Sequence, residues 1–169
     1  MVFHVRLEAV VGWLVLSGAD SIASEMKGTY CLMIQNPKDQ QIQVGSFGRL
    51  SFPVGTYVYV GSALGGIEQR IERHLSKKKT LRWHIDFLLA KAEVISTVHM
   101  PSESKKTECD VASALLACEG ASSTAKGFGS SDCDCNSHLI FFGDADIDLV
   151  AEIVARCLSM LSSVYPREC

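Results

Sequence analysis

Residues 52–75 read FPVGTYVYVGSALGGIEQRIERHL, and within this stretch the spacing of apolar side chains changes from two to four. The first half alternates as a strand and the small-residue loop SALGG interrupts it. Ile67, Ile71 and Leu75 then form one stripe of a helix. A strand–loop–helix unit buries its apolar strand and helix stripe against further elements, which restricts the chain to a layered architecture. The polar side chains in this unit stand in unexpected places. Tyr57 and Tyr59 point to one face of the strand, with Val58 and Val60 opposite. On a wheel of about 100° per residue, Arg70 and His74 fall beside the apolar stripe, whereas Glu68, Gln69, Glu72 and Arg73 face elsewhere.

The rest of the chain supplies the other layers. GTYCLMIQ (28–35) reads as a strand, NPKDQQ as a turn and IQVGSF as a returning strand. These two and GTYVYVG are close enough in sequence to form an antiparallel sheet, and Tyr30 then has the chance to share the face of Tyr57 and Tyr59. WHIDFLLAKA reads as a helix, EVISTVHM as a strand, CDVASALLACE as a helix and HLIFF as a strand. The last segment has acidic residues at its start and apolar residues at 147, 150, 153, 154, 158 and 161, so it reads as an amphipathic helix. The expectation is an α+β fold: a small antiparallel sheet of about three central strands flanked by helices. Its parts are an N-terminal extension (1–26), a central domain (27–143) and a C-terminal helix packed on it (144–169).

Charge and cysteine usage narrow the partners. The net charge of −3 gives no global attraction to nucleic acid, so any such binding requires a local patch. One exists: Arg70, Arg73, Lys77, Lys78, Lys79 and Arg82 are 6 of the 16 basic residues. Seven cysteines cannot all pair internally, which points to a reducing compartment, the cytoplasm, with most thiols as small core residues. The apolar stretch 9–19, AVVGWLVLSGA, is too short to span a bilayer. Its flank carries Glu8, His4 and a single basic residue, Arg6, so an extra strand or helix packed on the domain is favoured over a signal peptide.

Three ionisable groups border apolar faces. Besides Arg70 and His74, Glu108 lies at helical spacing from Val111, Ala112 and Leu115. A structural account pairs Arg70 with Glu108 and leaves His74 as a satisfied core histidine. A functional account makes them a site, in which a carboxylate holds a divalent metal, an arginine stabilises phosphate charge, and hydroxyl or imidazole groups manage protons.

The ordered set GTY (28–30), YVG (59–61), Arg70, His74 one turn later and Glu108 on a further helix resembles the GIY-YIG nuclease superfamily. The stretches GTYCLMI, FPVGTYVYVGSALGGIEQRIERHL, WHIDFLLAKAEV and DCDCNSHL resemble its poorly characterised prokaryotic branch, known mainly as a domain of unknown function. The resemblance implies paired active-site tyrosines at Tyr30 and Tyr59, a phosphate-stabilising Arg70, a proton-handling His74 and a metal ligand at Glu108, with Tyr57 outside the motif. It implies a metal-dependent endonuclease hydrolysing phosphodiester bonds in DNA, with one Mg²⁺ or Mn²⁺. Water activated by Tyr30 with help from His74 would be the nucleophile. Arg73, Lys77, Lys78, Lys79 and Arg82 would hold the flanking backbone. DNA is the favoured partner over RNA, other repair proteins are further partners, and no membrane is involved. Members often carry an asparagine after the metal-binding glutamate, whereas Asn136 here lies in a cysteine loop.

That loop offers a second chemistry. Cys133, Cys135 and His138 place two thiols and an imidazole within six residues, a set suited to Zn²⁺ but one short of four ligands. His84 or Cys109 is the candidate fourth. His84 and Asp86, two apart on a helix, do not share a face. Trp83 suits either a core anchor or a stacking platform for a base. The alternatives to a nuclease are therefore a catalytically weak nucleic-acid-binding module of the same fold and a zinc or thiol protein centred on the loop.

Overall fold

The computed structural model describes residues 26–164. The reading of residues 1–26 as an extension therefore lies, except for Met26, outside the described residues. The elements in chain order are β1 (Gly28–Asn36), β2 (Gln40–Val44), β3 (Gly48–Phe52), β4 (Gly55–Ala63), α1 (Ile67–Leu75), α2 (His84–Leu89), β5 (Glu93–Pro101), α3 (Lys106–Leu116), β6 (Ser122–Ser123), β7 (Leu139–Phe141) and α4 (Ile147–Ser162). The class is α+β, and the main sheet has five strands in the order β5-β1-β4-β7-β6. All of its pairings are antiparallel.

The expected sheet of about three strands needs two corrections. The returning strand after NPKDQQ pairs only with β3, in a separate two-stranded hairpin. The hairpin leaves β1 free to pair directly with β4, nine residues against nine. EVISTVHM and HLIFF then supply β5 and β7 on either side of this pair.

β1 lies inside the sheet, between β5 and β4, and is covered on both faces, which is why its sequence is a near-continuous apolar run. Tyr30, Leu32 and Ile34 of β1 face the layer that contains Tyr57, Ile67, Ile85 and Leu88, so α1 and α2 cover this side. Cys31 and Met33 face Val111, Leu115, Val150 and Val154 of α3 and α4 on the other. Tyr30 thus shares a face with Tyr57 and Tyr59, but the tyrosines diverge. Tyr57 is fully buried and its hydroxyl donates to the Pro53 carbonyl at 2.7 Å. Tyr30 and Tyr59 lie nearer the other end of the β1–β4 pair.

Two glycines shape that end. Gly66, at the N-terminus of α1, has φ +118°, a left-handed value that L side chains avoid, and it turns the chain from β4 into the helix. Gly61 stands opposite Tyr30 in the ladder, and the Tyr30 ring lies across it. A Cβ at Gly61 would approach the Tyr30 hydroxyl oxygen to 2.5 Å, so the absence of a side chain there is what admits the ring.

Candidate functional site

Pairing between β4 and β7 ends at Tyr59–Leu139, followed by one bond from the Val60 N–H to the His138 carbonyl at 2.9 Å. The far end of β4 is therefore uncovered, and side chains from both layers meet there. Tyr30, Tyr59, Arg70, His74 and Glu108 all line one cleft of about 500 Å³, together with Trp83, Arg82, Lys105 and Asp132. Glu108 reaches it from the first turn of α3, although the apolar face of that helix packs on the opposite side of the sheet.

At the floor of the cleft the Tyr30 hydroxyl and His74 Nε2 are hydrogen-bonded at 2.8 Å, with the direction set by the histidine tautomer. Nδ1 is buried without a hydrogen-bond partner and faces Asp86 Oδ1 at 3.8 Å, an orientation that suits a proton on Nδ1 and an accepting Nε2. Burial lowers His74 to a pKa of about 4, against the opposing pull of Asp86, so the imidazole is neutral at physiological pH. Burial also pushes Tyr30 well above the ordinary phenol value; Tyr59 adds to this and Arg70 opposes it. Tyr59 is likewise raised, first by burial and then by the Glu108 charge. Both phenols are therefore protonated donors, and the accepting group in the pair is His74 rather than tyrosine.

Asp86 joins the site although no motif points to it. Burial would raise its carboxyl, but two hydrogen bonds from Arg73, at 3.0 and 2.9 Å, and two from the backbone N–H groups of Arg82 and Trp83 hold it at about 2. Arg73 is thus a structural partner of Asp86, and its guanidinium carbon also sits 3.7 Å from the Trp83 ring centre. The Arg70 guanidinium carbon lies 4.4 Å from the same ring centre. Trp83 is half-buried and anchors both cations, an arrangement between the core anchor and the base platform. Among the described residues no ion pair joins Arg70 to Glu108, which removes the purely structural account of that pair. In the basic run, Lys77, Lys78 and Arg82 are exposed, whereas Lys79 turns back to donate to the His74 carbonyl. Lys105 and Asp132, which the motifs do not single out, form an exposed ion pair at the rim of the cleft.

The cysteine loop completes a cluster. Cys109, Cys133, Cys135 and His138 place their ligand atoms within 4.8 Å of one another, so the fourth member is Cys109. His84 lies instead against the rings of Phe47 and Phe128. Burial, followed by hydrogen bonds from Cys135 and Cys133, raises the Cys109 thiol. Three thiols and an imidazole at this spacing could hold a metal ion, and the soft donors favour zinc over magnesium. His138 also links the two regions, because its Nδ1 lies 3.8 Å from Glu108 Oε1.

A family model described as "Domain of unknown function DUF123" matches residues 29–160. The chain belongs to this family. The DUF123 match takes in every cleft and cluster residue named above. Comparison with curated proteins and with solved structures returns no match. No helix of this DUF123 chain, among the described residues, is long and apolar enough to cross a membrane.

Proposed function

We propose that this DUF123 protein is a metal-dependent phosphodiesterase of the GIY-YIG type, an endonuclease acting on DNA, including structured or damaged DNA. The observation that carries the reading is the gathering of two phenols, a guanidinium, a neutral imidazole and a carboxylate around one open cleft. The donor set fits a hard divalent cation. Glu108 is an oxygen ligand with, among the described residues, only a histidine ring nitrogen within ion-pair distance, and the cleft has room for retained waters. Glu108 would hold one Mg²⁺ or Mn²⁺, which when bound supplies charge neutralisation and a more acidic water.

The chain's own groups do the rest. A nucleophilic water attacks phosphorus in line with the leaving sugar oxygen, donating its proton to the Tyr30 oxygen while Tyr30 passes its own to His74 Nε2; the P–O bond to the leaving oxygen breaks, and that oxygen takes a proton from solvent water. Asp86 faces the far side of the imidazole and stabilises the cation that forms. Arg70, held against Trp83, neutralises charge developing on the phosphate. Tyr59, kept protonated, donates a hydrogen bond to a phosphate oxygen. Lys77, Lys78 and Arg82 bind backbone phosphates and give salt-sensitive association with little sequence preference. Repair proteins acting on the same DNA are the expected partners, in a reducing compartment such as the cytoplasm.

The test is incubation with branched, nicked and duplex DNA, and with RNA, in Mg²⁺ and in Mn²⁺, beside Glu108→Gln. The variant is expected to lose cutting while retaining most of its binding. Persistent cutting in Glu108→Gln would remove the carboxylate from the chemistry. Binding without cutting by the wild type would leave a nucleic-acid-binding module of this fold.

A further inference from the structure

The cysteine cluster and the cleft carboxylate are built from adjacent residues. Cys109 and Glu108 follow one another in the first turns of α3, about 100° apart on the helix, so one side chain turns to the cluster and the other to the cleft. His138 joins them from the other side. Its backbone is fixed at both ends, with its N–H donating to the Phe128 carbonyl at 2.8 Å and its carbonyl accepting from Val60 at 2.9 Å. Its ring is almost fully buried, with Nε2 toward the thiols and Nδ1 toward Glu108 Oε1.

All four ligand atoms lie within 4.8 Å of one another, and the two distances from His138 are close to those of a tetrahedral zinc site. A tetrahedral zinc with bonds of about 2.3 Å to sulfur and about 2.0 Å to nitrogen has ligand-to-ligand edges of about 3.5–3.8 Å. His138 Nε2 lies 3.5 Å from Cys133 Sγ and 3.9 Å from Cys109 Sγ. The loop that carries the other thiols is shaped around the same point. Gly127 N–H donates to the Asn136 carbonyl, Cys133 N–H to the Ser130 carbonyl at 3.3 Å, and Ser130 Oγ to the Cys135 carbonyl at 3.0 Å. The ligands thus come from α3, from the loop and from the residue before β7.

We propose that Cys109, Cys133, Cys135 and His138 bind one Zn²⁺ as a closed structural site, and that Glu108 is the carboxylate orienting its histidine. Four protein ligands leave no open position for a reacting water, so this zinc holds structure rather than performing hydrolysis. Binding takes the three thiols to thiolates and releases three protons to solvent, leaving a site of net charge −1. A metal on Nε2 fixes the histidine proton on Nδ1, facing Glu108, so the imidazole donates to one carboxylate oxygen and leaves the other for the cleft. His138 is then a positioning residue for Glu108. This last step rests on the hydrolytic reading, whereas the zinc site does not.

The experiment uses the full chain purified under reducing conditions. One zinc per chain is expected, and Co²⁺ in its place should give thiolate charge-transfer absorption with tetrahedral bands. Cys133→Ser should abolish both. Should that variant fail to fold, removal of the metal from the wild type by a chelator should give the same loss with a fall in thermal stability. Glu108→Gln should keep stoichiometric zinc but bind it about ten- to a hundredfold more weakly in competition with a chromophoric chelator, the usual effect of losing an outer carboxylate. A folded, zinc-free chain that takes up no Co²⁺, or a disulfide within the cluster in the native protein, would overturn the site. Unchanged zinc affinity in Glu108→Gln would overturn the coupling. Zinc behaving as expected in a wild type that cuts no substrate would refute the hydrolytic reading alone.

Discussion

Acidification tests the environment of His74 directly. The imidazole has a pKa of about 4 in the folded chain against 6.5 for an ordinary histidine. Between these values the unfolded chain carries a proton on this ring and the folded chain does not. The unfolded state therefore binds more protons, and stability rises with pH through the window. The contribution is fully present above the ordinary value and is lost as the pH falls from 6.5 toward 4, at about 1.4 kcal/mol per pH unit. Over the whole window the loss is about 3 kcal/mol, a large share of the stability of a domain this size. Asp86, held at about 2, stays ionised in the folded chain and adds to the slope only toward about pH 4, where the unfolded carboxyl begins to take up a proton, so the comparison between about pH 7 and 5 isolates the imidazole. Lys79, Arg73 and Arg70 act on the ring as well, each lowering its pKa. The assay is denaturant unfolding of wild type and His74→Gln at about pH 7, 6 and 5, both with the same metal content. Glutamine can accept from Tyr30 but does not titrate, so the wild type should lose about 2 kcal/mol more than the variant between neutral pH and about pH 5. Parallel curves for the two proteins would refute the buried neutral imidazole and, with it, its role as proton acceptor. The same reasoning places the acid limb of any cutting activity near pH 4 rather than near 6.5.

Two further outcomes follow from the geometry. Gly61→Ala should destabilise the fold by about 1–3 kcal/mol, because its Cβ would sit 2.6 Å from Tyr30 Cζ and the buried ring has to move away from His74; unchanged denaturation midpoints would show that the ring is not wedged there. Replacing both Lys77 and Lys78 by alanine should weaken DNA binding and flatten its salt dependence, by about 0.9 in the logarithmic slope for each phosphate no longer neutralised. Lys79→Ala, whose ammonium is turned toward the His74 carbonyl, should change that slope less, and an unaltered slope in the double variant would place the DNA path elsewhere.

The fold is legible in sequence in proportion to how local its signals are. Period two in β4 puts Tyr57 and Tyr59 on one face, and period 3.6 in α1 sets Arg70 and His74 one turn apart beside the apolar stripe. The same periodicity turns Glu108 inward with Val111 and Leu115. Pairing is less legible. The hairpin of β2 and β3 looks in sequence like part of the main sheet, but nothing in a strand's own residues says which edge it will meet. Asp86 is hidden because its sequence neighbour His84, two residues away, is not its partner. That partner, Arg73, lies 13 residues back, on another helix.

The sequence by itself determined the α+β class, the strand–loop–helix unit and the set of chemical groups along its faces, since these depend on spacing over a few residues. Only the tertiary structure decided that Arg73 serves Asp86, that the Tyr30 hydroxyl meets His74 Nε2, and that Cys109 completes the thiol cluster while Glu108 beside it opens to the cleft. Those choices depend on sheet register and helix packing between residues tens of positions apart, where a shift of one residue would exchange the faces.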